Sequence, residues 1–170
     1  QHPNLKGVTL SEKLRYTKEI SQVCQDKELL VFAVPSPFVR ATARAAAPYL
    51  ADGQVIVDVA KGIEADTLMT MSQIIEDELK GRDARIVALS GPTHAEEVAK
   101  DMPTTIVSAC EDAAAANLVQ EVFTTGCMRV YTNDDVHGVE LCGAMKNVIA
   151  LACGIATGYG CGDNARDALI

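Results

Sequence analysis

Two lysines, Lys61 and Lys146, lie in sequence contexts where their ammonium groups could contact a small ligand. Lys61 follows the largely apolar residues 55–60 and precedes Gly62, so its amino group should project at the end of a strand. Lys146 lies within the apolar, glycine-containing stretch GAMKNVIAL, and lysine is rarely buried without a partner. Burial and a second positive charge such as Lys61 lower the pKa of a lysine, which suits a group that exchanges protons near neutrality. We therefore expect a buried Lys146 to transfer protons beside Lys61.

Each lysine also has a plainer interpretation. Lys61 would then be a surface lysine in a loop, and Lys146 would lie at a helix edge with its charged end in water. Asn147 would donate its amide to a substrate hydroxyl or bond the backbone of a packed loop. Glu140, nearly two turns earlier, would orient Lys146 or favour the helix N-terminus.

The turn SGPT at residues 90–93 would add an anion site to the same cleft. It leads into a helix whose free N–H groups and dipole favour a phosphate, although an ordinary turn capped by Thr93 fits as well. His94 and His137 suit acid–base work near neutral pH. Neither has an acidic or cysteine partner at the spacing of a triad or a metal site, so a structural or solvent-facing role is favoured for both.

Phe38 follows the strand-ending segment VPSP and is one of three phenylalanines in the chain. Its ring would either lie against a flat ligand ring at the edge of the sheet or pack in the core.

Composition excludes several classes of function. The formal charge of -8 and the pI of about 4.8 argue against a nucleic-acid surface, which needs a basic stripe. The six cysteines include no CxxC pair and no nearby histidine at metal-ligand spacing. We expect free, mostly buried thiols in a reducing cytoplasm, and no metal.

No segment predicts a membrane span or a signal peptide. The longest apolar run, residues 148–156, is about half of the ~20 residues that a bilayer requires. Residues 1–7 are polar and lack an apolar core. The first residue is not Met, and the chain stops shortly after Asp163 begins a helix, so we expect a chain cut at both ends.

The elements that would position these side chains alternate between strands and helices. Short β-branched runs predict strands at residues 29–34, 55–59, 85–90, 104–108 and 128–131. Helical character predicts helices at residues 38–50, 65–80, 94–100 and 112–124. This order is typical of an α/β fold with a Rossmann-like parallel sheet. The carboxyl ends of its first three strands should line one cleft.

The character of the chain changes after residue 133. A polar turn leads into a long helix at residues 136–157, with small residues at helical spacing, Gly143, Ala150 and Gly154. Such a stripe allows close packing and implies a second, all-helical domain. The sequence therefore predicts one domain at residues 1–133 and the start of another at residues 134–170.

Five stretches resemble NAD(P)-dependent glycerol-3-phosphate dehydrogenases, in the order found in that family: AVPSPFV, DVAKGIE, ALSGPTHAEEVA, PTTIV and the segment from RVYTNDD to the end. The resemblance covers the chain from about residue 29 onward. It implies a partial dinucleotide-binding domain and the start of a helical substrate and dimerisation domain. It also implies hydride transfer between sn-glycerol 3-phosphate and NAD or NADP, giving dihydroxyacetone phosphate for glycerophospholipid metabolism, in a cytoplasmic homodimer.

The resemblance also implies roles for individual residues. Lys146 would transfer the proton of the C2 oxygen, and Lys61 would hold that oxygen and contact the cofactor. The remaining positions match substrate contacts, Gly91, Thr93 and Asn147, and cofactor contacts, Phe38 and Ala95. His94 departs from the phenylalanine found in many relatives.

One family signature, the dinucleotide-binding GxGxxG loop, does not occur in these 170 residues. Without this loop we expect the isolated chain to be inactive. The preference for NAD or NADP stays open, because the residue that meets the adenosine ribose would precede Gln1. An uncovered sheet edge and half a helical domain should leave the isolated chain partly folded or self-associated. A β-hydroxyacid dehydrogenase is the nearest alternative, although AKGIE and SGPTHAEE weigh against it. A non-catalytic nucleotide-binding or dimerisation module is the alternative from another class.

Overall fold

The computed structural model describes residues 8–170. Residues 1–7, the polar stretch in which the sequence shows no signal peptide, lie outside the described residues. The described chain folds as one sheet with helices on both of its faces, followed by a long helix that leaves the sheet.

All five predicted strands are confirmed within one or two residues. They are β1 Leu29–Phe32, β2 Gln54–Asp58, β3 Ala84–Ser90, β4 Thr104–Ala109 and β5 Met128–Asn133. Their order in the sheet of the described chain is β1-β2-β3-β4-β5. Strands β1, β2 and β3 are parallel, as are β4 and β5. Asp58, the last residue of β2, pairs with Phe32 of β1 and Ala88 of β3.

The sheet departs from the expected parallel arrangement at one junction, because β4 runs antiparallel to β3. The connection between these strands carries only the single-turn helix α4, Ala95–Val98. A parallel neighbour needs a crossover that carries the chain back to the other end of the sheet. Here the chain returns from the end at which β3 stops, so the Rossmann-like sheet is mixed.

The predicted helices are also present, with shifted ends. Besides α4, the helices are α1 Ile20–Cys24, α2 Val39–Ala46, α3 Met71–Glu78, α5 Ala113–Phe123, α6 Val136–Gly158 and α7 Asp163–Asp167. Helix α1 was not predicted. Helix α3 begins six residues later than expected because Thr70 starts it: the backbone N–H of Thr70 donates to Oε1 of Gln73 at 3.0 Å, as in a capping box.

The core lies on both faces of the sheet. Strand β2 is buried throughout, and its side chains alternate between the two faces. Ile56 packs in the cluster beneath α2 and α3, whereas Val55 and Val57 pack in the cluster beneath α5. By the same alternation Asp58 shares the face of Ile56, the side on which α3 lies.

An ion-pair cluster fixes the loop that follows Lys61. The Arg40 side chain on α2 donates from Nε and Nη2 to the two carboxylate oxygens of Glu64, at 2.8 and 2.7 Å. Its Nη1 also donates to Asp77 and Glu78 of α3. These hydrogen bonds raise the pKa of Arg40, and the bond from Arg40 is the main cause that lowers the pKa of Glu64 to about 2. The loop at residues 61–70 is thus tied to α2 and α3.

Helix α6 packs on β3 near its beginning and is largely exposed beyond. In the described part of the chain it is the one helix long and apolar enough to cross a membrane by length and composition. Length and composition alone are weak evidence for a span, and the same helix carries a glycine that packs against β3.

Candidate active site

The cleft at the carboxyl ends of β2 and β3 brings together two predicted site segments. Nζ of Lys61, three residues beyond β2, donates to Oγ1 of Thr93 at 3.4 Å. Both side chains are exposed to solvent in the cleft. The expectation that the segments after the second and third strands share one cleft is confirmed.

Gly91 allows the turn after β3 to cross close to β4. A Cβ atom added there would lie 2.7 Å from Cγ2 of Ile106 and 2.8 Å from the backbone oxygen of Thr105. Any side chain would force the turn or β4 to shift. The glycine is therefore needed for the geometry of the cleft.

Helix α6 reaches the same cleft at Gly143. A Cβ atom at this position would lie 2.9 Å from Oγ of Ser90 and 4.0 Å from Cγ of Lys61. Lys146 and Asn147 follow three and four residues later, so they lie one turn further along the same helix face. The helix face that carries Lys146 is thereby directed toward the segment that carries Lys61.

The expected burial of Lys146 is wrong for this chain. Lys146 and Asn147 are both exposed, because α6 leaves the sheet after Gly143 and none of the residues 8–170 covers the next turn. A role in proton transfer therefore depends on placement beside the cleft and not on desolvation by this chain.

Glu140 adopts neither of its predicted roles. Its side chain is buried, and its two carboxylate oxygens accept hydrogen bonds from the backbone N–H and the hydroxyl of Ser72 on α3. Glu140 therefore anchors α6 to α3 and leaves Lys146 without a direct partner from its own helix.

Asp58 is a site residue that sequence reasoning missed. Its side chain is 2% exposed, and Oδ1 accepts a long 3.3 Å bond from the N–H of Ala60. Oδ2 has no hydrogen-bond partner among the described residues. Asp58 borders a cavity of about 10 Å³ together with Lys61, Ser90 and Glu140.

The surroundings of Asp58 favour its neutral form. Burial is the main cause that raises the pKa of Asp58 to about 7, and the charge of Glu140 raises it further. The N–H of Ala60 and the charge of Lys61 act in the opposite direction. A signal was present in the sequence, since Asp58 is a carboxylate that ends the otherwise uncharged strand QVIVD.

Phe38 lies at the edge of the cleft and not in the core. It is 59% exposed and belongs to the 3-10 turn Ser36–Phe38 that follows β1. This turn contacts the Lys61 segment, since a Cβ at Gly62 would lie 3.3 Å from the Ser36 side chain. The core-packing alternative for Phe38 is wrong, and its ring is free to meet a ligand. Ala95, at the start of α4, is likewise exposed.

His94 and His137 both face solvent, as their sequence context favoured. Nδ1 of His94 lies 3.1 Å from Oε2 of Glu96, with both side chains largely exposed. His137 is exposed and borders an acidic groove at the beginning of α6 that also includes Glu111 and Asp135. His94 lies between Thr93 and Ala95, where its ring pairs with Glu96, and His137 belongs to the acidic groove.

The cysteines do not form a site in the described chain. All six are free, but only Cys24 and Cys110 are buried, so the expectation of mostly buried thiols is wrong. Burial raises the pKa of both of these thiols. Among residues 8–170, no three His, Cys, Asp or Glu side chains are grouped to hold a metal ion.

A partly parallel sheet with a ligand cleft at the carboxyl ends of its strands defines the Rossmann-like class of proteins. Solved structures with little sequence similarity share this fold, among them a pyrroline-5-carboxylate reductase from Coxiella burnetii, 14% identical with a TM-score of 0.55. A glycerol-3-phosphate dehydrogenase from the same organism is much more similar, at 29% identity and a TM-score of 0.82 over 97% of this chain and 50% of that one. The enzyme from Saccharomyces cerevisiae has a TM-score of 0.83 at 28% identity, over 97% and 49%.

The curated relatives lead to a particular family. The chain is 61% identical to "Glycerol-3-phosphate dehydrogenase (NAD(P)+) 2" of Lactobacillus delbrueckii subsp. bulgaricus, over 98% of this chain and 51% of that protein. It is 47% identical to the Agathobacter rectalis enzyme, over 98% and 49%. The chain thus spans about half the length of the curated relatives it matches. Residues 1–116 match the family's N-terminal model and residues 135–170 its C-terminal model, so the chain belongs to the NAD-dependent glycerol-3-phosphate dehydrogenase family.

Proposed function

We propose that the full-length protein containing this chain is an NAD(P)-dependent glycerol-3-phosphate dehydrogenase. It would interconvert sn-glycerol 3-phosphate and dihydroxyacetone phosphate, in glycerophospholipid metabolism. The observation that carries this proposal is the meeting of three segments at one cleft: Lys61 after β2, Thr93 after β3 and the Lys146 face of α6. Family membership supports the same reaction.

Two cations in an otherwise acidic chain suit a phosphorylated substrate whose oxygen gains charge during reduction. The chain carries a formal charge of -8, so attraction for an anion has to be local. Lys61 and Lys146 supply that charge at the cleft, and Gly91, Thr93 and Asn147 would make further contacts to the substrate.

Lys146 would transfer the proton at the C2 oxygen. During reduction its ammonium gives a proton to the ketone oxygen of dihydroxyacetone phosphate, and during oxidation its amine takes the proton of the hydroxyl group. Lys61 would donate to the same oxygen and stabilise the charge that develops there. The nicotinamide group, when bound, supplies or accepts the hydride.

The nicotinamide end of NAD or NADP would bind at the side of this cleft that Phe38 and the turn at Gly62 form. Phe38 offers an exposed ring beside the turn at Gly62, and flat rings stack favourably. Lys61 and Ala95 are exposed on the two neighbouring segments, where they would contact the cofactor. Phe38, Lys61 and Ala95 are therefore proposed as cofactor contacts.

The full-length protein would consist of a dinucleotide-binding domain followed by a helical domain. We place the boundary between the dinucleotide-binding domain and the helical domain at residues 133/134, where β5 ends and α6 is about to begin. The exposed apolar side of α6 supports a helical domain or subunit contact at this position, consistent with a homodimer. The homodimer and a cytoplasmic location remain part of the proposal.

Turnover by the full-length protein tests this function. We expect NADH- or NADPH-dependent reduction of dihydroxyacetone phosphate and the reverse oxidation of glycerol 3-phosphate. Oxidation of 3-hydroxyisobutyrate in preference to glycerol 3-phosphate would instead support a β-hydroxyacid dehydrogenase. Cofactor binding without turnover of either substrate would indicate a non-catalytic module.

A further inference from the structure

Asp58 occupies an unusual position for a carboxyl group. It ends a strand that is buried along its whole length, and its neighbours on β1 and β3 are Phe32 and Ala88, neither of which offers a polar side chain. Its Oδ2 atom has no hydrogen-bond partner within residues 8–170. Buried polar groups are nearly always hydrogen-bonded, so such an atom calls for a ligand.

The cavity beside Asp58 has the size and polarity to hold a ligand as small as one water molecule. Its volume of about 10 Å³ is about that of one water probe. Three other residues with polar side chains border it besides Asp58 itself, namely Lys61, Ser90 and Glu140. A buried water needs two to four such partners, and this cavity provides them.

The groups around the cavity differ in how firmly they are held. Glu140 is fixed because both of its oxygens accept hydrogen bonds from Ser72. Lys61 is held weakly, by one 3.4 Å hydrogen bond to Thr93, and an ammonium group has three donors. The other two donors of Lys61 make no hydrogen bond to residues 8–170, and Lys61 borders the cavity.

We propose that Asp58 is a positioning residue for Lys61: its carboxyl group and one water in the cavity join Lys61 to the fixed Glu140 at the floor of the cleft. The acid form of Asp58 donates a hydrogen bond into this arrangement, and the single negative charge of Glu140 balances the ammonium of Lys61. Lys61 is thereby held toward Thr93. This role in turnover rests on the proposed function.

Titration of Asp58 would disturb the arrangement. The charged groups that face it are Glu140 from α6 and Lys61 from the segment after β2. When Asp58 ionises, two carboxylates attract the ammonium of Lys61 toward the floor and away from Thr93. Because burial raises the pKa of Asp58 to about 7, this change falls near neutral pH.

A double-mutant cycle in the full-length protein separates positioning from simple support of the fold. We expect Asp58→Ala to lower kcat/KM for dihydroxyacetone phosphate on the order of tenfold in wild type and to have little effect in a Lys61→Met background. Asp58→Asn retains a donor of the same shape but cannot ionise, so it should keep most of the activity and lose the pH dependence near 7. Equal losses from Asp58→Ala in both backgrounds would overturn the proposal. Asp52→Ala, at an exposed aspartate before β2, is the matched control.

A carbon-13 NMR titration of the Asp58 carboxyl group gives a readout that does not need substrate. We expect a pKa that rises when Lys61 is replaced by Met, because a stabilising positive charge is removed. An unchanged pKa would overturn the positioning role even if the enzyme is active. A coupled pKa in a protein without turnover would contradict the proposed function and leave the Asp58–Lys61 coupling established.

Discussion

The burial of the Asp58 side chain and the charge of the nearby Glu140 both raise the pKa of Asp58. Both favour the neutral carboxylic acid, and the opposing charge of Lys61 is outweighed. The folded protein therefore binds a proton at this position over a pH range in which the unfolded chain, with an aspartate pKa near 3.9, has released it. This difference makes Asp58 a pH-dependent contributor to stability.

Asp58→Asn should reduce the dependence of stability on pH. Between about pH 4 and 7 the native state holds more protons than the unfolded state, so the free energy of unfolding falls as pH rises. A difference of about three pKa units corresponds to about 4 kcal/mol. We expect the free energy of unfolding of the wild type to fall by this amount up to pH 8 because of Asp58, and the Asn variant to lack this fall. Urea unfolding of both full-length proteins at pH 5 and pH 8 measures this change.

The prediction is tested by the difference in the free energy of unfolding between the Asn variant and wild type at the two pH values. The Asn variant should gain stability relative to wild type at pH 8 and lose most of that advantage at pH 5. The exposed Asp52→Asn substitution should leave the pH dependence as it is. Parallel pH profiles for wild type and Asp58→Asn would show that Asp58 is ionised in the folded protein throughout this range.

At the scale of residues, the sequence could predict which segments form the cleft but not how far its side chains are buried or charged. Lys61 and Thr93 each follow a strand, and the carboxyl ends of neighbouring parallel strands meet, so their proximity was predictable. The exposure of Lys146 was not, because burial depends on what covers α6 and not on the apolar residues of α6 itself. Asp58 was predicted as part of the strand, and one cause of its raised pKa is the charge of Glu140, which is 82 residues away in the chain.

At the scale of elements, the contact between α6 and β3 sets the position of Lys146. Gly143 permits this contact, since the Cβ of any other residue would lie within 2.9 Å of Oγ of Ser90. The adjacent Glu140 holds the same helix to α3 through Ser72. These two contacts fix the helix turn that precedes Lys146.

Gly143→Val should weaken this packing. The branched side chain must displace α6 or Ser90, and overpacking of this kind typically costs about 1–3 kcal/mol. We expect a lower urea midpoint and a higher KM for dihydroxyacetone phosphate in the full-length protein. Gly126→Val is the control, because a Cβ at Gly126 has no atom within 4 Å. Equal effects of the two substitutions would show that Gly143 is not a packing contact.

Most elements were predictable because their patterns are local. The β-branched runs at β2 and β3 and the Thr70–Gln73 pair are visible in a few residues of sequence. The antiparallel junction at β4 was not predicted, since direction depends on the path of the connection through α4. Helix α1 is only five residues long and was missed because it has no complete apolar period.

At the scale of the whole molecule, the second half of α6 exposes an apolar stripe. Val148, Leu151, Ile155 and Tyr159 recur at intervals of three and four residues, and each is more than half exposed. Exposed apolar surface that is contiguous in this way favours association. The sequence predicted the start of a second, helical domain from the same segment.

The 170-residue chain should therefore self-associate in solution. Sedimentation velocity over a range of concentrations should show species larger than a monomer, and Leu151→Glu should shift the distribution toward the monomer. Val122→Glu, at an exposed apolar residue of α5 outside the stripe, is the matched control and should change little. A monodisperse monomer with a cooperative melt would contradict this expectation.

The assignment of Lys146 as the proton-transfer residue is tested most directly by the rate of dihydroxyacetone phosphate reduction in full-length wild type and Lys146→Ala. Loss of such a group typically lowers the rate on the order of 10²–10⁴-fold, and we expect a loss of this size with cofactor affinity retained. Lys80→Ala, at an exposed lysine next to α3, should react at the wild-type rate. Near-normal turnover by a folded Lys146→Ala variant would contradict the account and return Lys146 to a solvent-facing role on α6.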